Sequence, residues 1–306
     1  MDYPKSVPSV GLVGGKFVDE DTATGVQGSL IPSAWGNGVT DELLNVIKAA
    51  GLVPDEENNT QLLDAIKAVA NGRLVRQTIY AIVDGVQKVS VDGAPFTAVG
   101  ALSFTPHPLA LSFTDLEGPG GGGSGGGCGA TGASQASDSV GGAAGGYVRR
   151  RVIGRLTSHP VTVGRGGAAP APGPNNGNNG GTTSFGSYCS ATGGSGGLGF
   201  SATSSFPAYA APIASMPPGT GVNGDVNGVG GIPTVALLGS PSIGQIVSSA
   251  GGASFYGSGG VNAVNTIGAP GVAPGSGGSG VASAANSGAN SGGKGADGFA
   301  IYREYA

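Results

Sequence analysis

The sequence predicts a mainly β protein with a small α-helical part near its N-terminus, and three observations lead there. Of 64 glycines, 12 fall in residues 1–117 and 52 in residues 118–306, so the last 189 residues are about 28 per cent glycine. Short β-type segments recur between the glycine tracts, and helical periodicity is confined to residues 40–70. Glycine has no side chain to bury and loses the most backbone freedom on folding, so such a half is either disordered or held by dense backbone pairing. The alternating run Phe299-Ala300-Ile301-Tyr302-Arg303-Glu304-Tyr305 favours order, because a disordered tail has no need of a closing strand.

Residues 1–37 are broken by proline and glycine and read as an extended attachment arm carrying the only tryptophan, Trp35. Helix signals begin at Thr40, an N-cap followed by Asp41 and Glu42 in the first turn, and Gly51 ends the helix. A second helix opens near Asn58, three residues before Gln61 in the manner of a capping box, and Asn71-Gly72 marks its end. The apolar residues Leu43, Leu44, Ile47, Leu62, Leu63, Ile66 and Val69 follow helical spacing. Such a hairpin, in residues 38–74, is too small to bury a core alone and is expected to trimerise or dock.

From Val75 the period shortens to two. Asp84-Gly85 offers a hairpin turn between Ile79–Val83 and Val86–Val91, and Asp92-Gly93 a second turn. Residues 75–117 therefore read as a β connector with further strands at Leu102–Thr105 and Leu109–Leu116. Within residues 118–306 strands are expected at Tyr147–Leu156, Pro160–Val163, Thr182–Ser190, Ile232–Leu238, Ile243–Ser248 and Phe299–Tyr305. The last is expected to pair beside Leu109–Leu116 or Val148–Ile153. Collagen is excluded because glycine does not recur at every third position without interruption.

Charge excludes several function classes. Residues 1–117 hold 7 basic and 14 acidic groups, and residues 118–306 hold 7 and 4. Between Leu156 and Gly293 only Arg165 and Asp225 are charged. The single basic cluster, Arg149, Arg150, Arg151 and Arg155, reads as a strand projecting arginines to alternate faces, so no nucleic-acid partner is expected. No apolar run approaches 18 residues, no signal peptide is apparent, and no membrane insertion is expected. Cys128 and Cys189 have no histidines at zinc spacing, and their spacing does not decide whether they are bridged.

Catalytic constellations are missing as well. His107 and His159, each beside a proline, read as turn residues, and Asn223–Gly228 resembles the start of a calcium loop without its closing glutamate. Asp138, Asp225, Asp297 and Glu304 are the only acids after Glu117, too sparse for the paired carboxylates of a glycan-cleaving enzyme. No enzyme, metal or cofactor is expected. Phe200, Phe206, Tyr209, Met216, Phe255 and Tyr256 lie among Gly, Ser and Pro, as aromatic anchors do in binding loops. They either fill small loop cores or contact a receptor.

The runs Glu117–Gly127, Val161–Ala168, Gly180–Ser187, Ala191–Gly194 and Gly295–Phe299 resemble, in order and spacing, the glycine-rich domain of bacteriophage tail fibres. Residues Trp35 to Val69 are similar to attachment regions of tail fibres from phages and prophages of Gram-negative hosts such as pseudomonads. The resemblance implies an elongated homotrimeric fibre in the virion, made in the host cytoplasm. Its N-terminal part would dock to tail or baseplate proteins, and its C-terminal part would bind a pilus, lipopolysaccharide or outer-membrane protein. A structural connector and a polysaccharide depolymerase are the alternatives. Some phage adhesin tips stack polyglycine helices into a sandwich. Glycine runs are few here beyond Gly120–Gly127, so a β domain with long glycine-rich loops is expected instead.

Overall fold

The computed structural model describes residues 5, 7–25, 27–69, 72–110, 112–213 and 216–306, and the chain divides between Arg73 and Leu74 into two units. The first contains two α-helices, α1 (Ser33–Ala49) and α2 (Gln61–Val69). Helix α1 starts seven residues before the expected cap. Thr40 is not its N-cap but lies inside it, its hydroxyl donating to the Gly36 carbonyl one turn back at 3.0 Å. Trp35 therefore sits in the first helical turn and not in an extended arm, edge-on to Phe17 at 5.1 Å between ring centroids.

The C-terminus of α1 follows expectation: Gly51 takes φ +76° while Leu52 N–H donates to the Ile47 carbonyl and Gly51 N–H to that of Lys48, a Schellman closure. Gln61 does not box Asn58. Its amide instead spans the interhelical loop, accepting from Asp55 N–H at 2.7 Å and donating to Val53 O at 2.6 Å, so α2 begins three residues late. Asn71, expected at its end, lies outside the described residues.

The second unit is built from β1 (Leu74–Val83), β2 (Val86–Val91), β3 (Thr97–Ala98), β4 (Ser103–Phe104), β5 (Phe113–Pro119), β6 (Ser137–Asp138), β7 (Tyr147–Ile153), β8 (His159–Thr162) and β9 (Thr183–Phe185). It continues with β10 (Cys189–Ala191), β11 (Ala208–Ala210), β12 (Gly221–Val222), β13 (Val226–Gly228), β14 (Ala236–Leu238), β15 (Ile246–Val247), β16 (Ala282–Ser283) and β17 (Phe299–Tyr305). The chain is thus mainly β with two N-terminal helices. A seven-stranded sheet runs β13-β7-β5-β17-β1-β2-β3, and a five-stranded sheet runs β12-β10-β9-β8-β4. The β1–β2 turn is the expected Asp84-Gly85, both residues at positive φ (54° and 75°) as a primed hairpin turn requires. Strand β17 does pair with β5, and its other edge is taken by β1.

One aromatic core joins the two sheets. Tyr302 of β17 is fully buried, stacked on Phe104 at 4.1 Å and edge-on to Tyr80 at 5.7 Å, and Phe185 closes the cluster. His159 is not a turn residue but part of β8, its Nε2 2.9 Å from the Tyr302 hydroxyl. Glu304, buried in the same strand, is held by Arg76 at 2.6 Å and by His107 N–H at 2.7 Å.

Beyond this base the glycine-rich half overturns the expectation of loops. From Gly120 to Cys128 each N–H leaves the segment for a different neighbour in strict rotation. Gly120, Gly123 and Gly126 donate to Gly146, Ala143 and Val140. Gly121, Ser124 and Gly127 donate to Gly181, Asn178 and Asn175, while Gly122, Gly125 and Cys128 donate to Ala296, Gly293 and Asn290, all at 2.8–3.0 Å. A period of three with no internal hydrogen bonds is the polyproline II type of backbone. The carbonyls of Gly121, Gly122, Gly123 and Ser124 accept from three further segments, at 194–197, 167 and 278. The central segment therefore has six neighbours, as a rod has in a hexagonal bundle.

Segment 275–281 is likewise bonded to six others, so the order extends through the half. Long glycine runs prove unnecessary, because only residues facing a neighbour must lack a side chain. Gly177 and Gly180, three apart, face the central segment. Asn176 and Asn179 face the edge, where their side-chain oxygens accept Gly199 N–H at 3.0 Å and Gly196 N–H at 2.8 Å.

A Cβ on Gly123 would lie 2.0 Å from the Ser195 carbonyl oxygen. Gly123→Ala is expected to cost ~3 kcal/mol or more, since backbone and not a movable side chain must give way. Gly244→Ala, where a Cβ meets nothing within 4 Å and φ is not positive, is expected to change stability by less than ~1 kcal/mol. Chemical denaturation of the two variants in parallel checks the contrast.

Candidate functional site: the distal turns

The lattice segments run up and down. Gly120 lies opposite Gly146 beside the sheets, whereas Gly126 lies opposite Val140 and Cys128 opposite Asn290 at the far end. Within this unit the excursions at about 130–138, 169–174, 200–216, 233–249, 262–267 and 283–289 consequently meet at the end remote from the seven-stranded sheet. These turns contain no Lys, Arg, His or Glu, and a single Asp, Asp138. Ser, Thr, Asn and Gln supply their polar groups.

Asp138 is buried on β6 and its Oδ2 has no hydrogen-bond partner. Burial pushes its carboxyl up to about 6 from the ordinary 3.8. Ser137 and Ser139, on the opposite side of the strand, donate to Phe200 O at 2.8 Å and Gly126 O at 2.7 Å. The Cys128 thiol donates to Val281 O at 2.9 Å, and burial raises it to about 11. Cys128 and Cys189 are both free, buried thiols.

The most apolar part of this end is the three-stranded sheet β11-β14-β15. Its inner face buries Ala210, Ala236, Leu238 and Ile246. Its outer face presents Tyr209, Leu237 and Val247, 75, 48 and 45 per cent exposed. Tyr209 is directly opposite Leu237, and Leu237 directly opposite Val247, so the three form one row across the sheet. Val235, two residues before Leu237, is also exposed.

The six candidate contact residues separate by position. Tyr209 and Phe200 reach solvent at the distal end, Phe200 being 37 per cent exposed. Phe206 packs against the cluster of Leu238 and Ile246, and Met216, 3 per cent exposed, fills a core with Val140, Ala210 and Ala236. Met216 is therefore interior and not a surface contact. Phe255 and Tyr256 lie at the sheet end: Phe255 stacks on Tyr147 at 3.9 Å, and the Tyr256 hydroxyl donates to Glu117 at 2.9 Å. Burial alone would raise the Glu117 carboxyl, but hydrogen bonds from Arg303 and Tyr256 and the Arg303 charge hold it below its ordinary range. Leu237 and Val247 were missed because period-two alternation marks two faces without saying which one faces outward.

The remaining sequence candidates find structural partners. Arg149 and Arg151 of β7 share a face of the sheet with Asp115 of β5, whose carboxyl Arg151 grips with two bonds at 2.7 and 2.8 Å and so lowers in pKa, while Arg150 turns to Tyr188 O and Asn223 O. Asp225 accepts Arg151 N–H, Asp297 accepts Gly166 N–H, and Glu304 is paired as above, so the four late acids do not converge. The calcium-like stretch is a turn at 223–225 leading into β13, with Asn223 at φ 58° and Asn227 bonded back to Gly224. Among the described residues no group of three His, Cys, Asp or Glu could hold a metal ion, and no helix is long and apolar enough to cross a membrane.

In the first unit Ile47 and Ala65 are buried, and Leu44 and Leu62 half-buried. Leu43, Leu63 and Ile66 are 43, 55 and 50 per cent exposed. The side chain of Val69 lies outside the described residues. A groove of about 710 Å³ runs between α1 and the interhelical loop, with Leu43, Leu44, Ile47 and Leu62 among its walls.

Residues 97–305 match the family model of the glycine-rich domain, and the chain belongs to that family. No curated protein matches the chain.

The Asp138 carboxyl sets a pH dependence. Its folded-state value near 6 exceeds the unfolded one, so its protonated form stabilises the fold below about pH 4 and that stability is lost as pH rises through about 6. Asp138→Asn is expected to be more stable than the parent by ~2–3 kcal/mol at pH 8, with the advantage vanishing towards pH 4. Denaturation midpoints at pH 4, 6 and 8 measure it.

Proposed function

We propose that this chain is a bacteriophage or prophage tail-fibre protein that recognises the bacterial surface through its distal turns. The observation carrying this reading is the separation of scaffold from surface. A lattice fixed by backbone hydrogen bonds brings six excursions to one end, and those excursions carry exposed apolar side chains with almost no charge. Binding groups mounted on a rigid frame lose little freedom on docking.

The first unit is read as the part that attaches to tail or baseplate proteins and assembles three chains. Its support is that Leu43, Leu63 and Ile66 are half-exposed on a hairpin with little interior of its own. In a homotrimeric fibre three tips act together, and several fibres per particle multiply weak single contacts. The reading assigns binding and no catalysis, in keeping with the separate partners of the late acids.

Two measurements test it. Soluble full chain is expected to block adsorption of particles that carry it to their host cells, and adsorption unchanged at saturating protein would refute the role. In analytical ultracentrifugation the chain is expected to sediment as a trimer, with Leu63→Lys combined with Ile66→Lys shifting it towards monomer. A parent that stays monomeric at micromolar concentration removes the trimeric part of the reading.

A further inference from the structure

From the exposed row on the distal three-stranded sheet we infer the class of receptor: Tyr209, Leu237 and Val247 dock on an uncharged, apolar patch of a protein at the cell surface, not on its phosphorylated or neutral saccharide. The inference rests on the function proposed above and deepens it.

Charge decides against an ionic ligand. The six distal turns hold no cation, and their one acid, Asp138, is buried on β6 away from solvent. A phosphate or carboxylate pressed against this end would lose its hydration with no countercharge to replace it. A protein surface of the same neutral character pays no such penalty.

Hydrogen-bonding capacity decides against a neutral saccharide. On the outer face the Tyr209 ring stands directly opposite Leu237, and Leu237 opposite Val247, so two of three positions in the row are aliphatic. A sugar presents hydroxyls around its ring, and those buried against Leu and Val would find no partner. Aliphatic or aromatic side chains of a protein meet the row without that loss, and Ser and Thr of neighbouring turns supply a polar rim. The row is small, a few hundred Å² at most, which fits a weak site used several times per particle and not a self-association face, which needs roughly 800 Å² per partner.

The experiment uses the full chain with cells of a panel of Gram-negative strains that includes pseudomonads. The same cells are tested after surface proteolysis, alongside vesicles of phosphatidylethanolamine and the lipopolysaccharide extracted from those cells. Binding to intact cells, its loss after proteolysis and no binding to the vesicles are expected. Leu237→Lys and Tyr209→Ser are each expected to weaken cell binding at least tenfold with an unchanged thermal midpoint. Val272→Lys, which alters a 72 per cent exposed residue outside the distal turns, is expected to bind as the parent does. Binding that survives proteolysis, transfers to the vesicles or resists both substitutions overturns the receptor class while leaving the tail-fibre reading intact. Absence of binding to every strain overturns the tail-fibre reading and this inference with it.

Discussion

The structure depends on how closely two backbones approach when neither carries a side chain between them. At Gly122, Gly123 and Gly125 a carbonyl oxygen of a neighbouring segment occupies the place where a Cβ would sit, 1.9–2.0 Å from it. That vacancy lets successive N–H groups reach three different acceptors, and lets carbonyls of the same segment serve three others. Each such bond contributes only about 1 kcal/mol net. Along Gly120–Cys128 every N–H is bonded to another segment, so their sum works against the entropy of ordering so much glycine. Where the lattice needs a side chain, it uses a small hydroxyl in a carbonyl's role: Ser124 accepts Asn178 N–H, and Ser139 and Ser249 join segments in the same manner.

Much of the base was legible in the sequence, because its strands carry alternation and turn glycines, signals that act locally. Asp84-Gly85 and the strand Phe299–Tyr305 are where the pattern places them. Helix α1 was misjudged at its start because Thr40 is as good a cap as an interior back-bonder, and Gly36 and Gly38 argue locally against helix. The lattice was not legible for a deeper reason. Its rule is a period of three on each segment, but the face that must be glycine rotates from one segment to the next, and Asn, Ala and Ser occupy the other positions. No single segment shows the rule; it emerges from which segments are neighbours.

The distal surface was half legible. Tyr209 stood out as an aromatic among small residues, yet Met216 and Phe206 stood out equally and turned inward. The discriminating fact is pairing register across β11, β14 and β15, a property of three stretches far apart in the chain. Edge protection follows the same logic on the flank of the lattice: Asn176 and Asn179 close backbone donors that would otherwise invite another chain to add itself.

The near absence of apolar side chains inside the lattice also shapes how the protein responds to temperature. Exposing apolar surface raises the heat capacity of unfolding, whereas exposing polar amides lowers it. The lattice, amide against amide, therefore adds less to the heat capacity of unfolding than the aromatic core beside it, and flattens the stability curve that such a core alone would give.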